Sequence, residues 1–197
     1  LGPGVSGVSG VHAGSYALVV APAADACRAL FEREHSAGRL VTLDPNVRPT
    51  VEPDTGVWRA RLARLVPLST AVKASEEDLA LLWPGENAEA IARSWLQAGA
   101  GLVVVTRGAA GAAGFVAGGR LDVPARAVEV VDTVGAGDAF QASLVAGLLA
   151  LGVRTATDAS AIPQSQLGSL LARCCAAGAL ACTRRGADLP RAAELDP

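Results

Sequence analysis

The sequence of 197 residues predicts an α/β fold in three layers, with helices on both faces of a mostly parallel β-sheet. Two observations support this prediction. Segments with strand-like and helix-like patterns alternate from residue 16 to residue 140, and such alternation is typical of parallel sheets joined by helical crossovers. The apolar run at residues 101–105 is unbroken, as expected for a strand that helices cover on both faces.

Composition and charge are those of a globular protein. Apolar residues make up 51% of the chain and charged residues 18%, which is enough apolar surface for a core. The formal net charge is -2, with both signs interspersed, so nothing indicates binding to nucleic acid. No apolar run is long enough to span a membrane and no signal-peptide pattern opens the sequence, so we expect no membrane partner and a cytoplasmic location.

The cysteine and methionine content carries two further expectations. Cys27, Cys174, Cys175 and Cys182 lack the spacing of a metal site and are expected to be small buried hydrophobes in a reducing compartment. Methionine is absent and the chain opens on Leu1. We therefore expect either a fragment or a sequence from which residues have been omitted.

The first quarter of the chain is predicted to contain two strands and a helix. Residues 11–20 predict a loop that runs into a buried strand. Pro22 suits a first helical turn, and apolar residues then recur on one face until Gly38 ends the helix. Residues 39–43 predict a strand whose carboxyl end carries Asp44-Pro45-Asn46-Val47-Arg48, at the edge where open α/β sheets bind ligands. A turn alone would explain Asp, Pro and Asn, but Arg48 adds donors that suit phosphate or carboxylate.

The middle of the chain continues the alternation. A short amphipathic helix at residues 58–65 and a strand at residues 70–73 precede Ser75, which is a predicted N-cap with acidic residues after it in the first helical turn. Residues 86–98 predict another amphipathic helix. After the strand at 101–105 comes Thr106-Arg107-Gly108-Ala109-Ala110-Gly111. A turn between paired strands would require these glycines, and so would close contact between backbone and a phosphate.

The stretch with the most chemistry is Val131-Asp132-Thr133-Val134-Gly135-Ala136-Gly137-Asp138-Ala139-Phe140. Short strands around residues 118–119 and a strand-like run ending at residue 131 are predicted before it, and apolar spacing predicts a helix at residues 138–149. The first amides of such a helix have no partner within the helix and bind anions well. A carboxylate at position 138, beside that anion, suits removal of a proton from an attacking hydroxyl. A glycine-capped loop with two solvated acids is the alternative. A second long helix is predicted at residues 167–181.

Residues 132–140 resemble the C-terminal signature of the ribokinase-like (PfkB) carbohydrate kinases, and the match is contiguous. The resemblance implies ATP as phosphoryl donor, a sugar as acceptor, Mg²⁺, and K⁺ as a further candidate. It also implies roles for particular residues. The catalytic set is Asp138 as base with the amides of Gly135, Ala136 and Gly137 as an anion hole. The nucleotide set is Lys73, Ser75, Thr106, Gly108, Gly111 and Gly137; the acceptor set is Asn46, Arg48 and Asp138; and the cation ligands are Asp78 and Asp132.

The sequence departs from the family pattern at two positions, and the resemblance covers only part of a family member. Ser75 and Asp78 stand where the family has Asn and Glu, which changes side-chain length but keeps oxygen ligands, and N-capping of a helix would explain both residues equally well. Asp132 could likewise be a loop acid that accepts amide hydrogen bonds. The chain, residues 1–197, corresponds to the C-terminal part of a single kinase domain, without the lid part that carries most sugar contacts and through which a homodimer is a candidate.

Several functions stay open at this point. The Asp44-Pro45-Asn46-Val47-Arg48 segment is similar to fructokinases and to 2-keto-3-deoxygluconate kinases, and the overall pattern favours a fructokinase. A 2-keto-3-deoxygluconate kinase, in which Arg48 would meet a substrate carboxylate, and a ribokinase are the alternatives within the family. A non-catalytic sugar- or nucleotide-binding fragment is the alternative from another class. A nicotinamide-dependent enzyme is disfavoured because no Gly-x-Gly-x-x-Gly turn follows the first strand.

Overall fold

A computed structural model describes residues 7–195 of the chain. Its described part contains six strands and seven α-helices in the order β1 (Gly10–Gly14), α1 (Ala23–Ser36), β2 (Leu40–Asp44), α2 (Thr55–Leu65), β3 (Ala71–Ser75), α3 (Glu76–Leu82), α4 (Ala88–Ala98), β4 (Leu102–Thr106), β5 (Ala112–Val116), β6 (Gly119–Val123), α5 (Ala136–Ala150), α6 (Ala156–Ser160) and α7 (Gln164–Ala181). Short 3₁₀ turns lie at Ser15–Leu18, Val66–Leu68, Gly108–Ala110 and Ala192–Glu194. The predicted α/β class is confirmed.

The six strands form one sheet in the order β1-β2-β3-β4-β5-β6. The first four strands are parallel, and β5 and β6 continue the sheet as antiparallel neighbours. Because each parallel strand lies beside its predecessor, right-handed crossovers place all the connecting helices on one face of the sheet. The prediction of a mostly parallel sheet is therefore confirmed.

Two apolar cores separate the three layers. On one face, helices α1 to α4 pack against the sheet, with Phe31, Trp58 and Trp95 among the buried side chains. On the other face α5, α6 and α7 pack against alternate strand positions such as Leu40 and Val104. Side chains alternate between the faces of a strand, so consecutive residues of one strand contribute to different cores. Within the described residues, no helix is long and apolar enough to cross a membrane.

Two predicted segments are wrong in detail. The strand predicted to follow a loop within residues 11–20 is β1, which ends at Gly14, and a 3₁₀ turn follows it. Tyr16 and Val20 are exposed, so the apolar run does not continue into the sheet. The run before Asp132 is not a strand either, because residues 124–131 are irregular. The backbone amides of Val131 and Asp132 donate to the carbonyl oxygen of Cys182, the C-cap residue of α7.

The four cysteines are all free thiols. Cys174 and Cys175 lie buried on α7, as expected, and burial raises the pKa of the Cys174 thiol to about 12. Cys27 and Cys182 are only partly buried. No group of three or more His, Cys, Asp or Glu side chains among residues 7–195 is arranged to hold a metal ion.

Candidate active site

Polar side chains converge where the parallel strands end beneath the start of α5. On the face toward α5, alternate positions of β2 run Leu40, Thr42 and Asp44, so the strand becomes polar toward its carboxyl end. Alternate positions of β3, namely Ala71, Lys73 and Ser75, follow the same course. This edge is where open α/β sheets bind ligands, and α5 covers it with its amino end.

The amino end of α5 has no side-chain cap. Its N-cap residue, Gly135, has a left-handed backbone with φ 82° and makes no side-chain hydrogen bond. Side chains cap α2, α3, α4 and α6. The predicted anion hole at Gly135, Ala136 and Gly137 is therefore a helix start whose first-turn amides no side chain of the described part occupies. Asp138 lies in this first turn and is exposed.

A glycine is required at position 135 for two reasons. The left-handed φ favours glycine, and a Cβ atom there would lie 2.9 Å from Leu189 Cδ2 and 3.4 Å from Ala187 Cα. The loop that contains Ala187 thus packs closely against the start of α5.

A buried ion pair lies under the start of α5. The Lys73 ammonium is 2.8 Å from Asp44 Oδ2, and the two side chains are only 6% and 4% exposed. Burial raises the pKa of the Asp44 carboxyl, and the neighbouring Lys73 charge opposes that change. A Cβ atom on Gly137 would lie 3.3 Å from Lys73 Nζ, so the ammonium is directly beneath the predicted anion hole.

The loop after β2 brings Asn46 and Arg48 to the same edge of the sheet. Asn46 has a left-handed φ of 41°, as does its neighbour in space Ser15 with 57°, and Ser15 N donates to the Pro45 carbonyl oxygen at 3.1 Å. Two non-glycine residues in this sparsely populated region indicate a loop whose shape its contacts enforce. Arg48 is exposed and donates to the carbonyl oxygens of Asn46 and Val47.

Ser75 and Asp78 form a capping box at the start of α3. Ser75 Oγ accepts from Asp78 N at 3.0 Å, and Ser75 Oγ and N both donate to Asp78 Oδ2. Asp78 Oδ1 accepts from Val47 N at 2.9 Å. The predicted N-cap is confirmed, and the same carboxylate fixes the Asn46 loop. A carboxylate holds about four lone-pair sites, so these contacts leave room for further partners.

The segment from Thr106 to Gly111 is the loop of the β4–β5 hairpin. Arg107 N donates to the Gly111 carbonyl oxygen at 2.8 Å, and Gly108 and Gly111 have φ of 53° and 88°. At Gly111 a Cβ atom would lie 2.0 Å from the Val123 carbonyl oxygen. The hairpin alone therefore explains Gly111, whereas a Cβ atom on Gly108 would meet no atom of residues 7–195 within 4 Å beyond its chain neighbours.

Asp132 joins two loops. Its Oδ2 accepts from Gly186 N at 2.9 Å and its Oδ1 from Val134 N at 3.1 Å. These amide hydrogen bonds, the one from Gly186 foremost, hold the pKa of the Asp132 carboxyl below its ordinary value. The carboxylate is consequently charged at neutral pH and organises the backbone before α5.

Three side chains lie in the site for which no individual role was predicted from the sequence. Asp44 is one, and His12 and Gln141 are the others: His12 Nδ1 lies 3.0 Å from Thr42 Oγ1 and 3.3 Å from Gln141 Nε2. The pKa of His12 is lowered, with partial desolvation as the largest cause and the Asp44 charge opposing it. The alternation of side chains along a strand could have predicted that Asp44 and His12 lie on the same face of the sheet as Thr42. No local sequence pattern indicated that Gln141 belongs to the site.

The comparisons with known proteins agree with this geometry. Residues 9–193 match the model of the pfkB family of carbohydrate kinases. The chain is 42% identical over 138 residues to a fructokinase from Rhizobium leguminosarum bv. trifolii, covering 70% of this chain and 42% of the relative. It is 39% identical over 178 residues to a fructokinase from Klebsiella pneumoniae, covering 90% of this chain and 56% of the relative.

Solved structures extend the likeness to three dimensions. A fructokinase double mutant from Vibrio cholerae O395, solved with fructose, ADP and a potassium ion bound, superposes with a TM-score of 0.82 at 31% identity. The likeness covers 98% of this chain and 61% of that one. The chain thus spans about half the length of the relatives named above.

Proposed function

The chain belongs to the pfkB family of carbohydrate kinases, and on that premise we propose that it takes part in transfer of the γ-phosphate of ATP to a sugar hydroxyl, with fructose as the acceptor. One observation carries this proposal: the start of α5 has no side-chain cap and lies beside the Lys73 ammonium, with the exposed Asp138 carboxylate in the same helical turn. An anion site beside an acid is the arrangement that phosphoryl transfer to a hydroxyl requires.

Each group has a defined task in the proposed mechanism. The amides of the first turn of α5, from Gly135 to Gly137, stabilise negative charge on the transferring phosphoryl group. Asp138 orients the acceptor hydroxyl and takes its proton as the oxygen attacks the γ-phosphorus, while the bond from that phosphorus to the bridging oxygen breaks and ADP leaves. Preorganised donors act strongly here because they need no reorganisation when the charge develops, so positioning and electrostatics account for most of the rate gain.

Nucleotide contacts are proposed along the carboxyl edge of the sheet. Lys73 and Ser75 lie at the end of β3, and Thr106 lies at the end of the adjacent β4. The register pairs Ser75 with Thr106, so these residues are neighbours. Gly108 and Gly111 lie in the hairpin loop that follows, within reach of the same ligand.

Mg²⁺ would neutralise charge on the ATP phosphates. Asp78 is the proposed contact, but the described residues offer no cluster of three metal-ligating side chains. This fits an ion that keeps several waters and is held by substrate phosphates and one or two carboxylates. Asp132, whose charge is maintained by two backbone amides, is the proposed contact for K⁺.

Fructose is the favoured acceptor because the relatives named above are fructokinases. Asn46 and Arg48 are the proposed acceptor contacts, since their loop lies at the same edge as α5. The guanidinium of Arg48 would also suit the carboxylate of 2-keto-3-deoxygluconate, so this sugar acid is the second candidate. A homodimer and a cytoplasmic location, where ATP is available, complete the proposal.

A coupled assay for ADP release tests the activity in the intact protein, with fructose, ribose, 2-keto-3-deoxygluconate and adenosine as acceptors. We expect turnover to be highest with fructose. Asp138→Asn should lower kcat by a factor on the order of 10²–10⁴ and leave ATP affinity within about twofold, because the carboxylate acts on the hydroxyl proton.

The control separates a kinase from a non-catalytic binder. Glu32→Gln removes an exposed carboxylate from α1 and should leave kcat unchanged. If the wild-type protein binds ATP but turns over none of the four acceptors, the binding-only alternative is correct. If Asp138→Asn retains full kcat with fructose, Asp138 is not the base.

A further inference from the structure

Asp44 belongs to no group of residues assigned above to a ligand, yet it is the most deeply buried acid at the site. We propose that Asp44 is a positioning residue: it holds the Lys73 ammonium beneath the first turn of α5, where that ammonium contacts the phosphoryl group in transfer. This inference rests on the function proposed above and identifies a group that prepares the anion site for its substrate.

The geometry leaves Lys73 little freedom. Its side chain is 6% exposed, and its ammonium lies 2.8 Å from Asp44 Oδ2 on the adjacent strand. The two residues are on β2 and β3, which are parallel neighbours, and both side chains project to the α5 face. A lysine side chain has four rotatable bonds and normally extends into solvent, so this contact fixes where the charge lies.

Two positive charges, the Lys73 ammonium and the amino end of α5, lie close together, and this arrangement favours binding of an anion. A helix start carries partial positive charge, and a cation beside it is unfavourable. Lys73 nevertheless lies within 3.3 Å of the Cβ position of Gly137. Asp44 offsets this repulsion with one oxygen. A bound phosphate would offset it from the other side, and its oxygens would meet both the helix amides and the ammonium.

The second oxygen of Asp44 supports a role beyond folding. Within the described residues, Asp44 Oδ1 is buried and has no hydrogen-bond partner. A pair retained for stability alone would be expected to have both oxygens satisfied, because apolar residues of similar volume are often at least as stable as a buried ion pair. Farther from the carboxyl edge, the α5 face of the sheet is apolar at Leu40, Ala71 and Val104.

The glycine at position 137 independently indicates that the location of the Lys73 ammonium matters. Gly137 is exposed and lies in a helix, and it does not have a positive φ. Alanine would therefore be better in the helix on propensity alone. Apart from its chain neighbours and the backbone of its own helix, the only heavy atom of the described residues within 4 Å of its Cβ position is Lys73 Nζ, at 3.3 Å. The space that a methyl group would need is thus beside the ammonium, which ties the choice of glycine to the location of the charge.

Three variants of the intact protein test the role of Asp44. We expect Lys73→Gln to lower kcat on the order of 10²-fold, as removal of one preorganised donor does, and Asp44→Asn to lower it about tenfold. The double variant should be no slower than Lys73→Gln, because a positioning residue has nothing to act on once its partner is gone. Calorimetric titration should also show that Asp44→Asn weakens ATP binding more than ADP binding.

A matched control comes from a second buried acid. Glu34 is 1% exposed and pairs with Arg39 at 2.6 Å, at the opposite end of β2 from the site. Glu34→Gln removes another ion pair of a buried carboxylate, although its arginine partners are more exposed than Lys73. It should lower the Tm without changing kcat or the ratio of ATP to ADP affinity. If Asp44→Asn behaves like Glu34→Gln in all three measurements, Asp44 is only structural and the inference is wrong.

Gly137→Ala covers the case in which Asp44→Asn does not fold. We expect this variant to be at least as stable as the wild type and slower in turnover, with the loss of kcat smaller in a Lys73→Gln background. An equal loss in both backgrounds would overturn the link to Lys73. The titrations need no turnover, so failure of the sugar kinase assay would leave the test of Asp44 intact.

Discussion

At the scale of single residues, a glycine can have a structural or a ligand-binding origin, and neighbouring atoms distinguish the two. Gly111 and Gly108 are in the same hairpin loop and both have a left-handed backbone. Only at Gly111 would a Cβ atom collide with backbone, 2.0 Å from the Val123 carbonyl oxygen. Gly108 therefore remains the stronger candidate for nucleotide contact.

This difference predicts unequal costs for two alanine variants. Gly108→Ala should destabilise the protein by about 1–2 kcal/mol, the cost of a left-handed backbone for a residue with a Cβ atom. Gly111→Ala adds overpacking against backbone and should cost about 3 kcal/mol. Denaturant unfolding measures both values. Equal costs would show that the approach of Gly111 to β6 is not a constraint.

Asp78 shows how one carboxylate serves two elements. It closes the capping box of α3 and also holds Val47 N at 2.9 Å. The sequence predicted Ser75 as the N-cap, because acidic residues follow it in the first helical turn. It did not predict the contact with Val47, which is 31 positions away and depends on the parallel pairing of β2 with β3.

At the scale of elements, α1 and β2 are joined by the buried Glu34. Glu34 accepts from Arg39 and from Arg33, each at 2.6 Å. The hydrogen bond from Arg39 is the largest cause that holds the pKa of Glu34 below its ordinary value. The charged Glu34 carboxylate thus links the end of α1 to the residue before β2 through its ion pairs with Arg33 and Arg39.

The lowered pKa gives the sign of a pH effect. A carboxyl with a folded-state pKa below its unfolded value contributes stability that is fully present above the unfolded value, about 4.3 for Glu, and is lost as pH falls through the folded value. The Tm difference between wild type and Glu34→Gln should therefore be largest near pH 7 and shrink below about pH 4. Thermal unfolding across pH measures it, and a difference independent of pH would contradict the ion pair.

The strand predicted within residues 11–20 was wrong in its position because strand pairing, and not apolar composition alone, decides which residues are buried in the sheet. Residues 16–20 are as apolar as a buried strand, but Tyr16 is 59% exposed, and the strand is formed by the less apolar residues before them. Pairing with β2 decides this, since Gly10 and Gly14 approach Leu40 and Asp44 so closely that a Cβ atom at either glycine would lie within 3 Å of backbone oxygen.

At the scale of the whole molecule, the sheet separates two cores that consist of alternate residues of the same strands. Val41 belongs to the core beneath α1 to α4, and Val104 belongs to the core beneath α5 to α7. Both side chains are fully buried. This layering follows from sequential strand order, which places every crossover helix of the parallel part on one face.

Because the sheet separates the two cores, we expect mutations in different cores to have additive effects on the free energy of unfolding. Val41→Ala and Val104→Ala should each cost about 2 kcal/mol, from lost methyl burial and the cavity left behind. Because the two side chains belong to different cores and to strands that are not neighbours, the double variant should cost the sum within about 0.5 kcal/mol. Chemical denaturation of the four proteins measures this, and a coupling well above that limit would show that the two cores act as one.

The sequence by itself determined the fold class, most helices and strands, and the family, because periodicity and contiguous motifs are local properties. It placed Asp138 and the glycines before it at a helix start, and Ser75 at another. Only the tertiary structure decided that Asp44, Lys73 and Gly137 meet, and that Gly111 is constrained by β6. Those contacts join residues far apart in the chain, and the register of parallel strands, which no local pattern encodes, brings them together.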